Sequence, residues 1–171
     1  MSELIIRKAE EHDILEIARL ETICFPEDPW SEESIRHEIL ENPAALYIVA
    51  EVTEVADVTG DAGNTGKQTG DASAELQPVI AGYMGVWKVV DEGHIMNVAV
   101  APEFRRMHVG EAIIQTMLDV TAQNGVNTWT LEVRVDNDPA INLYRKFGFK
   151  EAGVRKGYYE YDHTDALIMW R

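Results

Sequence analysis

At 171 residues the chain has room for one domain with a substantial core, and its 46% hydrophobic and 26% charged residues are ordinary for a soluble globular protein. A net charge of −15 argues against general binding to nucleic acid or to an anionic membrane; it is compatible with a cationic or basic acceptor, and equally with a solvated acidic surface. A lone cysteine excludes an intrachain disulfide framework and fits a reducing, cytoplasmic setting, no run of roughly 18 apolar residues offers a membrane span, and the Met-Ser-Glu-Leu start lacks the basic region and apolar run of a signal peptide.

Leu4 to Lys8 reads as a first strand. Asp13 is placed to cap a helix over Ile14 to Cys24, with Ile14, Ile17, Ala18 and Ile23 or Cys24 facing inward. Phe25 to Ser31, F-P-E-D-P-W-S, is a loop broken by two prolines. Ser31 is a good N-cap, Glu32 and Glu33 favour the positive helix end, and Trp30 can staple onto Ile35. The second helix runs to about Glu41 and is stopped by Asn42-Pro43.

Ala45 to Val52 and Val79 to Val90 look like neighbouring strands. The stretch between them, at about 53–77, carries four glycines, many small polar residues and no aromatic. It cannot bury enough apolar surface to offset its ordering entropy, which predicts a flexible hairpin extension remote from the chemistry. Gly93 to Val100 follows as a long strand, ended by Pro102. Arg105 to Gly110 turns into a helix with Ala112, Ile113, Met117, Leu118 and Val120 available to one side, ending near Asn124-Gly125. Thr128 to Arg134 is a strand with Trp129, Leu131 and Val133 on one face and Thr130, Glu132 and Arg134 on the other. Asp136-Asn137-Asp138-Pro139 opens a last helix carrying Ile141, Tyr144 and Phe147, which stops at Gly148. Phe149 to Glu160 and Ala166 to Trp170 complete the chain as an antiparallel pair, with no internal repeat and no second domain.

The chain is organised around Ile95 to Thr116, I-M-N-V-A-V-A-P-E-F-R-R-M-H-V-G-E-A-I-I-Q-T: a strand, a cationic turn and the start of a helix. Such a turn presents free backbone N–H groups and the positive end of a helix dipole, so it can hold phosphates, and Arg105 and Arg106 add charge where they would lie. Neither G-x-G-x-x-G nor G-x-x-x-x-G-K-[ST] is present. Arg105 to Gly110 resembles instead the pyrophosphate loop of the GCN5-related N-acetyltransferases, [QR]-x-x-G-x-[GA], which binds acetyl-coenzyme A. His108 stands where that family usually has its first glycine. If the position needs φ above zero, histidine is tolerated better there than most residues but worse than glycine.

The predicted order β, α, α, β, β, β, α, β, α, β, β also matches that family's fold, an α/β (α+β) arrangement with a mixed, mostly antiparallel central sheet and helices on both faces. The resemblance covers nearly the whole chain outside the glycine-rich stretch. Three segments resemble one subgroup, the RimI-type ribosomal-protein-alanine N-acetyltransferases: F-P-E-D-P-W-S at Phe25–Ser31, L-E-V-R-V-D-N-D-P-A-I-N-L-Y-R-K-F-G-F at Leu131–Phe149, and G-Y-Y-E-Y-D-H-T-D-A-L-I-M at Gly157–Met169. The resemblance implies that Val98, Ala99 and Val100 bind the cofactor through their main chain. It places Arg106, Met107, His108, Val109, Gly110 and Glu111 around the pyrophosphate, with Arg105 opening the loop, and puts Asn137 against the coenzyme A arm. Glu132 matches the family's general base and Tyr144 its general acid. Tyr158 and Tyr159 could line the acceptor groove, although aromatic residues in a terminal strand commonly serve packing.

The chemistry wants such groups. An attacking α-amine titrates near roughly 7.7–8.0 and must shed a proton, which a carboxylate can take directly or through water. A tyrosine hydroxyl can protonate the departing thiolate, and main-chain N–H groups can polarise the thioester carbonyl. Outside the motif, Glu132 would read as an exposed sheet-face residue and Tyr144 as a core aromatic. Cys24, in the apolar pattern of the first helix, reads as an inert thiol rather than an acyl carrier, and the five histidines show no metal-ligand spacing, so no metal is expected. The resemblance thus implies transfer of acetyl from acetyl-CoA to the N-terminal α-amine of a protein, an alanine-starting small-subunit ribosomal protein. Its partner would be a basic ribosomal protein rather than nucleic acid or membrane; the sequence carries no signal for an oligomeric state. A lysine side chain, a polyamine or another small amine is the alternative acceptor, and a non-catalytic CoA-binding module the alternative of another class.

Overall fold

The computed structural model describes residues 2–54 and 78–171; the expected extension, from residue 55 on, lies outside the described residues. The elements follow the predicted order: β1 (Ser2–Lys8), α1 (Ile14–Cys24), α2 (Glu32–Leu40), β2 (Ala45–Glu54), β3 (Val79–Val89), β4 (Glu92–Val100), α3 (Val109–Gln123), β5 (Thr128–Arg134), α4 (Asp138–Lys146), β6 (Lys150–Tyr159) and β7 (Thr164–Trp170). The seven strands form one sheet in the order β1-β2-β3-β4-β5-β7-β6. Every neighbouring pair is antiparallel except β4 with β5, whose parallel pairing requires a crossover that α3 supplies. Side chains of α1 and α2 pack on one face of the sheet, those of α3 and α4 on the other. The mixed, mostly antiparallel sheet with two covered faces is the expected architecture.

Local chemistry explains most boundaries. Ser31 Oγ accepts from the Ser34 N–H at 3.1 Å, and Asn137 Oδ1 accepts from the Ala140 N–H at 3.3 Å, so α2 and α4 start at capping residues. Trp30 joins the same half of the core as Ile35, as the staple predicts. Beyond α3, Gly125 takes a φ of 86°, the left-handed conformation that ends helices cheaply.

The start of α1 differs from expectation. Asp13 makes no side-chain cap; a 3-10 turn over Glu11–Asp13 comes first, and Asp13 accepts from the Glu10 N–H at 2.8 Å. Its carboxylate is instead buried against Arg7, which also reaches Glu51 from the end of β1. The inward stripe of α1 is Ile14, Ile17, Leu20 and Glu21, whereas Ile23 is 42% exposed. The helical repeat carries the stripe through Leu20 and Glu21, so a charged residue occupies a position where only apolar ones were sought.

Two features of the sheet position the site. Gly85 opposes Asn97 and Val86 opposes Ile95, which leaves Met96 as an unpaired bulge in β4. The extra residue lets both Ile95 and Val98 face the α3 side of the core while Asn97 turns toward α1. Tyr47, opposite Gly85, lies across it: a Cβ at Gly85 would fall 2.3 Å from the Tyr47 ring. The second feature is the parting of β4 and β5. Their pairing ends at Ile95–Leu131, although β4 continues to Val100 and β5 to Arg134. Beyond that pair, β4 keeps its bonds to β3 and shows β5 an unpaired main-chain edge. Ile113, Ile114 and Met117, each fully buried, hold α3 beneath this opening, at roughly 1.5–3 kcal/mol per buried side chain.

Candidate functional site

A groove of about 990 Å³ opens where β4 leaves β5, between the turn before α3 and helix α4. Its walls include Val98, Ala99 and Val100 from β4, Arg105, Arg106, His108, Val109, Gly110 and Glu111 from the turn and α3, and Asn137 and Tyr144 from the α4 segment. The structure therefore brings together the expected cofactor positions with one exception. Met107 is absent from the walls and is 52% exposed, because the turn around it points outward.

The turn is built from two left-handed residues, Arg106 and His108, each with φ of 61°. The position usually held by glycine thus does require a positive φ, and His108 bears it at a cost of about 1 kcal/mol relative to an unstrained residue. The first bond of α3 runs from the Ala112 N–H to the His108 carbonyl at 3.0 Å. The N–H groups of Val109, Gly110 and Glu111 consequently have no partner within the helix, the arrangement an anion cradle needs. Arg105 is anchored, its Nε donating to the Val100 carbonyl at 3.1 Å. Arg106 has no carboxylate partner among the described residues. Glu111 would oppose an incoming anion, but Lys146 sits 2.7 Å from its carboxylate and His108 3.4 Å; hydrogen bonding to Lys146, then to His108, holds Glu111 below the usual carboxylate range. A Cβ on Gly110 would meet Leu143 at 3.4 Å and Val100 at 3.6 Å, so the protein itself leaves room there and the bare Cα keeps the groove floor open.

Tyr144 projects from α4 into this groove, with its ring edge against Phe149 at 5.8 Å between centroids. It makes no side-chain hydrogen bond to another described residue. Burial, reinforced by Tyr159, pushes its pKa far above the ordinary phenol range and keeps the proton on the oxygen.

Glu132 lies on β5 outside the groove walls and is not an exposed sheet-face residue: its side chain is 8% accessible. One carboxylate oxygen meets His94 Nε2 at 2.7 Å and the other meets Arg155 at 3.2 Å. His94 is the residue that reading along the chain missed. It stands opposite Thr130 in the parallel ladder and so shares a face with Glu132, a placement only the β4–β5 register reveals. Tyr158 and Tyr159 belong to this same neighbourhood. They meet edge to face at 5.2 Å, Arg134 stacks over Tyr159 at 5.1 Å, and Arg155 over Tyr158 at 6.0 Å. Burial raises both phenols, Tyr159 to about 12, and the Glu132 charge adds to each. Tyr158 keeps 45% of its surface exposed.

Cys24 forms part of the groove wall, which its place in α1 did not announce. Its Sγ donates to the Val100 carbonyl at 3.6 Å, and burial raises the thiol above its ordinary value.

Comparison with known proteins agrees with this geometry. The chain is 35% identical over 165 residues to a Bacillus subtilis (strain 168) protein provisionally named a [ribosomal protein bS18]-alanine N-acetyltransferase, covering 96% of this chain and 93% of that one. It is 31% identical over 166 residues to an N-alpha-acetyltransferase of Sulfurisphaera tokodaii, covering 96% and 90%. Among solved structures it is similar to the ribosomal-protein-S18-alanine N-acetyltransferase from Escherichia coli, with a TM-score of 0.73 and 26% identity over 98% of this chain and 92% of that one. The sequence model of the acetyltransferase (GNAT) family matches residues 12–149, and with the cradle, the parted strands and these relatives in agreement, the chain belongs to that family.

Proposed function

We propose that this protein transfers the acetyl group of acetyl-CoA to the N-terminal α-amine of a protein, and that its acceptor is an alanine-starting small-subunit ribosomal protein of the bS18 kind for which its relatives are named. The observation that carries the reading is the opening of β4 from β5 beyond Ile95–Leu131, with a phosphate cradle and Tyr144 on the groove and the His94–Glu132 pair beside it. The cradle N–H groups and Arg106 hold the pyrophosphate, while the free main-chain edge of Val98 to Val100 pairs with the amide-bearing arm and polarises the thioester carbonyl. An acceptor charge opposite to the chain's −15 favours encounter with a basic ribosomal protein.

The proton on the α-ammonium leaves through Glu132 and His94. An ionised carboxylate only accepts hydrogen bonds, so the Glu132 contact fixes the proton of a neutral His94 on Nε2 and leaves Nδ1 as the free acceptor. The imidazole takes the proton at Nδ1, and the Glu132 carboxylate, held on its other oxygen by Arg155, stabilises the resulting charge. The amine attacks the carbonyl carbon, the carbon–sulfur bond breaks, and Tyr144 delivers its proton to the thiolate.

The test is release of free CoA by the purified protein with acetyl-CoA and three acceptors: an alanine-starting bS18 peptide, the same peptide with its N-terminus blocked, and a polyamine. Turnover confined to the free N-terminus is expected. Preference for the blocked peptide would move the activity to lysine side chains, preference for the polyamine to small amines, and tight binding without any turnover would leave a CoA-binding module.

A further inference from the structure

Glu21 is a carboxylate inside the apolar core. It faces inward from the penultimate turn of α1, is 1% exposed, and has no cationic partner among the described residues. Burial raises its pKa. A carboxylate in such a position costs stability unless its lone pairs are filled. Three donors fill them here: the Trp30 N–H at 2.9 Å, the Asn97 amide at 3.1 Å, and the Tyr83 hydroxyl.

These donors come from separate segments, and two of those segments run into the groove walls. Trp30 belongs to the loop that leaves α1 through Cys24 and Phe25, both of which line the groove. Asn97 sits in the β4 bulge, one residue before Val98, Ala99 and Val100. Asn97 is held from its other end by the Tyr47 hydroxyl at 3.3 Å, and Tyr47 stacks on Tyr83 at 6.5 Å. Glu21 thus ties the segment after α1 to strand β4 from inside the core, beside the Cys24–Val100 contact at the groove itself.

We propose that Glu21 is a positioning residue for the acetyl-transfer site. It sets the width of the groove by clamping the α1–α2 loop to the β4 bulge, and so fixes the main-chain edge of Val98 to Val100 in the conformation that binds the acetyl donor. The inference rests on the acetyl-transfer reading given above. A core apolar side chain in its place would fill the space and leave three donors without their carboxylate, two of them on segments that run into the groove walls.

The experiment compares Glu21→Ala, Glu21→Gln and, as a control, Ile14→Ala, a fully buried residue at the far end of the same helix. Acetyl-CoA affinity is measured by calorimetry and protection of the Trp30 amide by hydrogen exchange. Glu21→Ala is expected to weaken acetyl-CoA binding about tenfold and to lose Trp30 protection. Glu21→Gln keeps an acceptor for Trp30, the Tyr83 hydroxyl can turn to accept from its amide, and the Asn97 amide can flip so that Oδ1 accepts from it and Nδ2 donates to the Tyr47 hydroxyl, so it should bind within about threefold of the native protein. Ile14→Ala, with a comparable loss of Tm, should leave both readouts near native. Native affinity in Glu21→Ala, or an equal loss of affinity in Ile14→Ala, would overturn the positioning role and leave the acetyl-transfer reading intact. Failure of the unsubstituted protein to bind acetyl-CoA would overturn that reading and this inference with it.

Discussion

His94 Nε2 and Glu132 Oε2 meet at 2.7 Å across two strands that stop pairing one step beyond His94. The contact therefore sits at the point where the sheet opens, and the two residues are expected to act as a unit. His94→Gln and Glu132→Gln should each lower kcat/KM by about a hundredfold, within the range usual for general acid–base groups. The double variant should fall little further, because either loss already disables the relay. Steady-state CoA release with the bS18 peptide measures this; multiplying losses in the double variant would show two independent roles.

Tyr144→Phe separates chemistry from binding. The ring keeps its packing on Phe149 and only the hydroxyl, unpaired within the described residues, is removed. Thermal stability and acetyl-CoA affinity should stay near native, while kcat falls about a hundredfold as the thiolate loses its proton donor. A large drop in Tm would instead give Tyr144 a structural role.

His108→Gly removes a side chain from a left-handed position, where φ is 61°. The folded state gains about 1 kcal/mol from relieved strain, offset in part by the greater freedom of glycine in the unfolded chain. The expected net effect is a small rise in stability, with acetyl-CoA affinity kept within a few-fold because the cradle is made of main-chain N–H groups. A tenfold loss of affinity in calorimetry would make the imidazole itself a ligand for the pyrophosphate.

Most elements were legible because their signals are local. Ser31 and Asn137 cap the helices they precede, Gly125 and Gly148 take the left-handed conformations that stop them, and the parity of Thr128 to Arg134 puts Trp129, Leu131 and Val133 in the core. The strand–turn–helix start was legible for the same reason, whereas the left-handed φ at His108 was left open by the sequence and is shown by the structure. What stayed hidden depends on register. His94 and Glu132 are 38 positions apart and meet only through the β4–β5 pairing. The bulge at Met96, the Tyr47 ring lying on Gly85 and the buried Glu21 likewise need the partner strand or the packed helix to be seen.

The Arg7–Asp13 pair, remote from the groove, predicts how stability follows pH. Desolvation alone would raise Asp13, but hydrogen bonds from Arg7 and from the Glu10 N–H outweigh it and hold its pKa below the usual range. A group whose folded pKa is depressed contributes stability above its unfolded value, near roughly 3.9, and that contribution disappears as pH falls through the folded value. In Arg7→Met the cation is gone and desolvation dominates, so Asp13 becomes a buried carboxyl whose ionisation costs stability as pH rises. At pH 7 the variant should be less stable by about 2 kcal/mol, short of the 3–5 typical of a fully buried broken pair because Arg7 keeps 27% of its side chain exposed. Near pH 3.5 the two proteins should approach each other. Urea unfolding at both pH values measures the difference, and a gap of equal size at each would mean that Arg7 stabilises the fold by packing rather than by its charge.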